Sequence, residues 1–355
     1  MERVREAAAG FRVYLVGGAV RDLLLGRERS DIDIAVEGEV GPLAERLGGE
    51  TRAHERFATA TVSVDGLEVD LAATRSETYP RPGALPEVRH APLDEDLARR
   101  DFTVNAMAVP LAGEPELIDP HGGLDDLKGG ELRVLHPGSF EDDPTRALRA
   151  ARYAARYGFA LEGETARLIR GADLSTVSSD RVEGELRKLA AEPEARRGLE
   201  LLGEWGLLEI DSETLGLIES VSALLATGPW AGVAAREEAV LALALGRGVD
   251  ASREVTAVEP GRPSEGVESA RGRSGVELAL ARAMGASWLD TYVSEWRHVR
   301  LGIDGDDLLA EGIAEGPALG RGLAEALRAK LDGEIAGREE ELRTALAAAR
   351  QNPSG

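Results

Sequence analysis

Asp31 and Asp33 are the residues of this sequence whose type and spacing are most suited to chemistry. They lie in the segment SDIDIAV (residues 30–36), where acidic and apolar residues alternate as in a β-strand. Strand side chains alternate between two faces, so both carboxylates share one face, roughly 7 Å apart, and repel each other. A divalent cation removes that repulsion, and carboxylates are hard oxygen ligands that suit Mg²⁺. The spacing therefore predicts that Asp31 and Asp33 are catalytic and bind magnesium, with a solvent-facing strand as the alternative.

Asp70 is a candidate third catalytic carboxylate. Its strand, Leu67–Ala73, is apolar enough to pair beside the strand of Asp31 and Asp33, although Asp70 could equally face water. Two metal ions held by such carboxylates can activate an attacking hydroxyl and stabilise the oxygen that leaves. These acidic residues therefore predict phosphoryl transfer as the class of reaction.

A pair of glycines precedes the acidic strand in the sequence VGGAVR (residues 16–21), which runs from an apolar strand into a helix. Gly17 and Gly18 let the backbone approach a phosphate closely, and a helix N-terminus favours anions. Arg21, one turn into the helix, has a forked donor group that can reach the same phosphates. The combination predicts a phosphate-binding loop beside the carboxylates, whereas a glycine pair by itself would indicate a turn.

The bulk composition limits the function without identifying it. The chain has 355 residues, 43% of them hydrophobic, which is ample for a core and suggests two or three domains. No stretch approaches the roughly 20 apolar residues of a membrane span, no signal peptide is recognisable and cysteine is absent. We therefore expect a cytoplasmic protein without disulfides. The net charge of −22 argues against a general nucleic-acid binder, but it does not forbid a local basic stripe.

The pattern of apolar residues predicts an α+β fold. Over about the first 130 residues short strands alternate with helices, and the segments 58–64 and 67–73 resemble a hairpin around Asp65-Gly66. A further strand candidate covers residues 103–111. The rest of the chain has mainly helical periodicity, with helices expected at 144–157, 179–191, 194–203 and, as one segment, 320–350. The polar segment 246–275 is rich in Gly, Pro and Ser and predicts a mobile insertion.

Five motifs together carry a family resemblance. In chain order they are VGGAVRDLLLGRERSDIDIAVEG (16–38), RRDFTVNAMAV (99–109), DPHGGLDDLKGGELRVL (119–135), FEDDPTRALRAARYAARYGF (140–159) and SSDRVEGELRKL (178–189). Their residues, order and spacing resemble the class II tRNA nucleotidyltransferases, the superfamily that includes bacterial poly(A) polymerases. One departure is Asp142, which stands where the family often has Glu. The resemblance covers roughly the first 200 residues, and the remainder is similar to the family only in being helical.

The resemblance implies the domain organisation. We expect a small mixed α/β nucleotidyltransferase head of the polymerase-beta type over residues 1–135, followed by an all-helical neck, body and tail. The neck, over residues 136–205, would select the nucleotide. The body and tail, over residues 206–355, would bind tRNA and include the insertion at 246–275.

The resemblance also implies that the RRDxxxN motif holds the ribose and triphosphate. The side chains suit that role, because Arg100 can bind phosphate oxygens in bidentate fashion. Asp101 can accept a hydrogen bond from a ribose hydroxyl, and Asn105 can donate or accept. A surface charge cluster is the alternative for these residues taken alone.

Asp143 and Arg146 lie three residues apart at the start of a predicted helix, so their side chains are neighbours. Asp143 could accept from the exocyclic amine of cytosine or adenine while Arg146 donates to the ring nitrogen, which is the protein-template role that the resemblance implies. Asp143 could also cap the helix, and both roles are compatible. Arg149 and Arg152 continue a basic stripe that is expected to contact nucleotide phosphates. Residues 181 and 185, an arginine and a glutamate, are expected to form an i,i+4 ion pair that steadies the selecting helix.

The expected reaction is attack of a tRNA 3′-hydroxyl on the α-phosphate of CTP or ATP, with release of pyrophosphate and with Mg²⁺ as the cofactor. No protein partner is implied. The alternatives are a poly(A) polymerase, and a tRNA enzyme that adds only CC or only the terminal A. More distant alternatives are a non-catalytic RNA-binding protein and nucleotidyl transfer to a small molecule.

Overall fold

The computed structural model describes residues 2–27, 32–54, 59–64 and 66–351, without the side chains of residues 53 and 54. The predicted ligand Asp31 and the predicted turn residue Asp65 lie outside the described residues. The chain divides into two compact units, residues 1–210 and 211–355. The predicted head and neck therefore belong to one unit, and the finer boundary between residues 135 and 136 stays a prediction.

The first unit contains both strands and helices. In chain order its described elements are α1 (Glu2–Ala7), β1 (Val13–Val16), α2 (Gly18–Leu24), β2 (Ile32–Val36), α3 (Gly41–Leu47), β3 (Glu50–His54), β4 (Thr59–Val64), β5 (Leu67–Ala73), β6 (Arg75–Thr78), β7 (Glu87–His90), α4 (Leu93–Ala98), β8 (Ala108–Pro110), α5 (Gly123–Gly129), β9 (Glu131–Leu132), α6 (Ser139–Asp142), α7 (Thr145–Tyr157), β10 (Ala160–Leu161), α8 (Gly163–Leu168), α9 (Ser179–Ala191) and α10 (Ala195–Glu204).

The main sheet has six strands in the order β3-β4-β5-β2-β1-β8. Strand β2 lies between β1, to which it is antiparallel, and β5, to which it is parallel. β4 and β5 form the predicted hairpin, with Val64 opposite Leu67. Apolar side chains such as Ile34 on β2 and Leu71 on β5, each 1% exposed, pack into the core beneath the sheet. This burial keeps β2 and β5 in the centre of the sheet.

Two features of the sheet region differ from the sequence-based expectation. The candidate strand at 103–111 is a 3₁₀ turn at Thr103–Asn105 followed by the short strand β8. Strands β6 and β7 form a separate two-stranded hairpin that the sequence did not predict. All four residues of β7 are exposed, so this hairpin lacks the buried alternation by which strands are recognised.

Helix α7 packs against α9 and α10 in the part of the first unit that the sequence predicts to be the neck. Its buried face is made largely of alanine, with Ala147, Ala150 and Ala151 all fully buried. The helix ends at Gly158, whose φ of 71° gives the left-handed C-cap that glycine adopts without strain. An α/β sheet region followed by helices confirms the predicted fold class.

The second unit is helical. Its described helices are α11 (Ser212–Leu225), α12 (Arg236–Ala244), α13 (Val249–Thr256), α14 (Pro263–Ala270), α15 (Gly275–Ala283), α16 (Leu289–Ser294), α17 (Gly305–Ala310), α18 (Pro317–Leu331) and α19 (Arg338–Arg350). The single helix expected over 320–350 is interrupted, because Gly333 and Gly337 both have positive φ and end one helix before the next begins. No helix among the residues described is long and apolar enough to cross a bilayer.

The segment 246–275, for which the sequence predicted a mobile insertion, contains the helices α13 and α14. Both helices pack through small residues, which explains the weak hydrophobic signal. The hydroxyl of Ser252 in α13 donates to the carbonyl of Glu277 at 3.0 Å. Gly266 in α14 lies so close to the ring of Trp296 that an added Cβ would be 2.5 Å from it. Close packing of this kind depends on side-chain volume, which a hydrophobicity pattern does not report.

Candidate active site

A cleft of about 1200 Å³ lies in the first unit, between the sheet and helices α7 and α9. Every predicted site residue that the structure describes lines this cleft, namely Gly17, Gly18, Arg21, Asp33, Asp70, Arg100, Asp101, Asn105, Asp143, Arg146, Arg149 and Arg152. Asp31 cannot be placed, because it lies outside the described residues. The described lining contains nine basic and nine acidic side chains, although the chain as a whole has a net charge of −22. The cleft is thus a local departure from the acidic character of the protein.

Asp33 and Asp70 lie directly opposite each other on the parallel strands β2 and β5. Neighbouring strands are about 4.8 Å apart, so the two carboxylates enter the cleft side by side. The hydroxyl of Thr61, on β4, donates to Oδ1 of Asp70 at 2.6 Å and fixes that side chain. Among the described residues no third carboxylate or imidazole joins them. Paired carboxylates facing a polar cleft are a donor set that suits a hard divalent cation.

The glycine loop brings a phosphate-binding surface against this carboxylate pair. Gly17 has a φ of 65°, and a Cβ built on it would lie 2.8 Å from Nη1 of Arg100 and 3.9 Å from Oδ2 of Asp33. Any side chain here would therefore displace the Arg100 guanidinium. Loop backbone, arginine and carboxylate converge on one point of the cleft because residue 17 is glycine.

Arg100 is held in place by Asp96, which the sequence analysis did not single out. Asp96 is 1% exposed, and its Oδ2 accepts from Nη2 of Arg100 at 2.9 Å. Its Oδ1 accepts from Nε and Nη2 of Arg99. Burial raises the pKa of Asp96, but the charges of Arg100 and Arg99 outweigh burial and leave that pKa below its ordinary value. Nε of Arg100 is itself buried without a partner among the described residues.

Arg21 is 4% exposed, and its donors are engaged within the protein. Its Nη1 donates to Oδ1 of Asn105 at 2.6 Å, its Nη2 to the hydroxyl of Tyr157 at 2.6 Å, and its Nε to Asp22 at 2.9 Å. The guanidinium also lies over the Tyr157 ring, 4.4 Å from its centroid. These contacts hold Asn105 in place, and the direct contact of Arg21 with phosphate stays a prediction.

Asp101 is surrounded by donors. Its Oδ1 accepts from the backbone N–H of Phe102 at 2.8 Å and from the Asn105 amide at 2.9 Å, and its Oδ2 accepts from Nε of Arg149 at 2.8 Å. Nη2 of Arg149 lies 2.7 Å from the same Oδ2. Burial raises the pKa of Asp101, but Arg149 and the hydrogen bonds outweigh it and lower that pKa to about 2. The charge of Asp101 in turn raises the pKa of Arg149.

Asp143 and Arg146 lie at the start of α7, as predicted, and both are fixed by neighbours. Oδ1 of Asp143 accepts from the N–H and hydroxyl of Thr145 and from Nη2 of Arg181 at 2.9 Å. Arg146 is 5% exposed, and its Nη2 donates to the carbonyl of Arg99 at 2.8 Å. Oδ1 of Asp143 therefore satisfies the N–H of Thr145, the first residue of α7, and within the described chain no hydrogen bond occupies its Oδ2.

The predicted ion pair of Arg181 with Glu185 was wrong. Arg181 instead binds Asp143 and the carbonyl of Gly83, because the loop of the β6–β7 hairpin and the start of α7 lie beside it. Glu185 accepts a hydrogen bond from Lys188 at 2.7 Å, and its carboxylate also lies 3.8 Å from Arg149 and 3.8 Å from Arg152. Glu185 has one buried oxygen without a hydrogen-bond partner in the described chain.

Sequence reasoning missed the residues that support these groups. Asp96 precedes Arg100 by four positions, which is a recognisable i,i+4 pair, and it could have been found. Tyr157 and Tyr79 could not, because their partners Arg21 and Arg146 are far away in the sequence. Burial raises the pKa of each of these two tyrosines to about 12, so both hydroxyls stay protonated.

Comparison with known proteins places these features in a family. Residues 13–133 match the model of the Poly A polymerase head domain. An A-adding tRNA nucleotidyltransferase of Halalkalibacterium halodurans is 42% identical over 207 residues, which are 54% of this chain and 48% of the relative. A CC-adding tRNA nucleotidyltransferase of Deinococcus radiodurans is 34% identical over 358 residues, covering 97% of this chain and 91% of the relative.

A solved structure is similar in fold over nearly the whole chain. It is a Thermotoga maritima CCA-adding enzyme complexed with tRNA, with a TM-score of 0.75 at 29% identity, covering 98% of this chain and 95% of that one. The chain nevertheless spans about half or less of the length of three A-adding relatives that it matches. Because the Deinococcus relative is matched over nearly its full length, the chain belongs to the tRNA nucleotidyltransferase family.

Proposed function

We propose that this chain adds C nucleotides, A nucleotides or both from CTP and ATP to the 3′ end of tRNA and releases pyrophosphate. The observation that carries the proposal is the convergence of the glycine loop, Asp33 and Arg100 at one point of the cleft. Its relatives are named as A-adding and CC-adding tRNA nucleotidyltransferases, and a structural neighbour is a CCA-adding enzyme complexed with tRNA. A cytoplasmic location is part of the proposal, because these substrates are found there.

Membership of a nucleotidyltransferase family implies a divalent metal, and Mg²⁺ is the ion that we propose. Asp33, together with Asp31 two residues earlier, would hold it, and Asp70 lies beside Asp33 as a third carboxylate. When bound, the ion would lower the pKa of the attacking 3′-hydroxyl and neutralise charge on the leaving pyrophosphate. The side-by-side carboxylates support this assignment, since without a cation they would repel each other.

The triphosphate would lie between the glycine loop and the arginines of the cleft. Arg100 and Arg149 are both oriented by buried carboxylates, Asp96 and Asp101, so they meet a phosphate without first losing side-chain freedom. A carboxylate has about four acceptor sites, and those of Asp101 already face Phe102, Asn105 and Arg149. We therefore assign Asp101 to holding Arg149 and Asn105, and the recognition of the ribose mainly to Asn105.

Asp143 and Arg146 would select the base. With Oδ1 of Asp143 engaged by Thr145 and Arg181, Oδ2 is left to accept from an exocyclic amine. Nε of Arg146 has no acceptor in the described chain and can donate to a ring nitrogen. Cytosine and adenine both offer an amine beside a ring acceptor. Uracil and guanine offer a carbonyl instead, which leaves the carboxylate unpaired at a cost of about 1–3 kcal/mol.

The remaining assignments follow the family. Residues 206–355 would bind the tRNA, as the family resemblance implies for the helical part. A poly(A) polymerase is the second candidate function, favoured by the match of residues 13–133 to the Poly A polymerase head domain. Addition of CCA, of CC alone and of A alone are all compatible with an Asp143–Arg146 pair that accepts both bases.

One assay tests the proposal. The protein is incubated with Mg²⁺ and with tRNAs that end before CCA, after the first C, or after CC, and labelled CTP and ATP are supplied separately. Addition of C to the first two substrates and of A to the third indicates CCA synthesis, and a subset indicates a narrower enzyme. Long A tails on an unrelated RNA would indicate a poly(A) polymerase. The absence of any incorporation, under conditions where an established family member is active, would overturn the proposal.

A further inference from the structure

We propose that Ser139 is a positioning residue for base selection, which acts through its hydroxyl by fixing Arg146. The inference rests on the proposed function, because it concerns the same base-selecting pair. Ser139 is the first residue of the short helix α6 and lies seven positions before Arg146. None of the sequence motifs gives it a role.

Ser139 contacts both members of the selecting pair. Its hydroxyl accepts from Nη1 of Arg146 at 2.6 Å, and its carbonyl accepts from the backbone N–H of Asp143 at 3.2 Å. The residue is 0% exposed, so bulk water cannot replace its hydroxyl as an acceptor without entering a closed space. The backbone bond would form with any residue at position 139, whereas the bond to the guanidinium depends on the serine hydroxyl.

The hydroxyl is needed because a guanidinium must be held at two points to fix its plane. The carbonyl of Arg99 holds Nη2 of Arg146 at 2.8 Å, and Ser139 holds Nη1. The third neighbour, the hydroxyl of Tyr79, is 3.5 Å from Nη2 and is a weak contact. With both terminal nitrogens held, the remaining donor Nε is presented in one orientation.

Removal of the hydroxyl should reduce discrimination between bases more than it reduces transfer itself. In Ser139→Ala, Nη1 of Arg146 loses its acceptor and the guanidinium can rotate about its contact with Arg99. The penalty against a mismatched base depends on a donor and an acceptor that cannot move to relieve the mismatch. We expect the ratio of kcat/KM for CTP over UTP, and for ATP over GTP where A is added, to fall about tenfold, equivalent to 1.4 kcal/mol.

The experiment compares incorporation of all four ribonucleotides by the parent, Ser139→Ala and the matched control Ser252→Ala. Ser252 is also 0% exposed with a bonded hydroxyl, but it lies in α13 of the second unit. Ser252→Ala should keep the parental ratios. Ser139→Cys, which retains a weak acceptor, should lose less selectivity than Ser139→Ala. Equal ratios in parent, Ser139→Ala and Ser139→Cys would overturn the inference, whatever the change in overall rate.

A double-mutant test separates positioning from general destabilisation. If Ser139 acts through Arg146, Ser139→Ala should change selectivity no further in an Arg146→Ala background. Independent, additive losses of selectivity would overturn the inference. A parent that incorporates all four nucleotides equally would instead contradict the proposed base selection, so the two failures are distinguishable.

Discussion

The buried aspartate of the cleft, Asp101, should contribute measurably to stability as well as to nucleotide binding. Asp101→Asn keeps the size of the side chain but removes the charge that faces Arg149. In the folded protein burial raises the pKa of Asp101, but Arg149 and the hydrogen bonds lower it to about 2, against an ordinary value of 3.8. At 1.36 kcal/mol per pKa unit, this difference corresponds to about 2 kcal/mol of folding free energy at neutral pH.

The pH dependence of this contribution has a definite sign. Because the folded-state pKa is the lower one, the stabilisation is complete well above pH 3.8 and is lost as the pH falls towards 2. The linkage relation leaves roughly half of this stabilisation at pH 3. Removing one partner of a fully buried pair costs about 3–5 kcal/mol, but the Arg149 side chain is 31% exposed and water compensates part of its charge. We therefore expect Asp101→Asn to lower the free energy of unfolding by about 2 kcal/mol rather than by 3–5 kcal/mol.

The assay is urea unfolding of parent and Asp101→Asn between pH 7 and pH 3, followed by circular dichroism. The control is Asp125→Asn, whose carboxylate is 90% exposed and which should change the unfolding free energy little at any pH. The difference between parent and Asp101→Asn should be constant from pH 7 to about 5 and roughly half as large at pH 3. A difference that is below about 0.5 kcal/mol at pH 7, or that does not change with pH, would refute the role assigned to the Asp101–Arg149 pair.

Three further predictions concern the cleft and the division of the chain. Asp33→Ala should lower transfer at least a hundredfold in Mg²⁺ while leaving thermal unfolding nearly unchanged, and near-normal turnover would exclude Asp33 as a metal ligand. Gly17→Ala should raise the KM for CTP about tenfold because its Cβ would displace Arg100, and an unchanged KM would separate this loop from triphosphate binding. A fragment of residues 1–210, which ends where the first compact unit ends, should bind CTP but lose affinity for tRNA in a filter-binding assay. If the fragment bound tRNA as tightly as the full chain does, the second unit would have no tRNA-binding role.

Elements with a clear buried face could be predicted from the sequence. Helix α9 has the predicted bounds, and α7 begins one residue after its predicted start. The strands β3 and β7 were not predicted, because the side chains of Glu50, Thr51 and Arg52 and all those of β7 are exposed and give no buried alternation. Helices α13 and α14 were missed although they have buried residues. These include glycine, serine and alanine, which pack closely without giving a hydrophobic pattern.

The residues that line the cleft could be predicted from the sequence, but the hydrogen-bond partners of each side chain could not. Residue type and spacing brought Asp33, Arg100 and Asp143 to notice. The engagement of Arg21 by Tyr157, which lies 136 positions later, is a tertiary contact without any local signal. The same is true of the Arg99 carbonyl that holds Arg146, 47 positions away. Sequence spacing can show that an arginine is near a site, but not which of its donors are already used.

The alanine face of helix α7 has a consequence for accuracy as temperature changes. Ala147, Ala150 and Ala151 have no side-chain torsions, so the packing distance of the helix is set by backbone and methyl contacts that cannot switch between rotamers. Heating a core of flexible side chains would populate alternative packings and shift the first turn of the helix, where Asp143 and Arg146 lie. With alanine in these positions fewer alternative packings are available, and Leu148 is the one fully buried side chain of the helix's described residues that keeps several torsions. The error rate of nucleotide choice should therefore rise less on warming in this chain than in a variant with longer side chains at the three alanine positions.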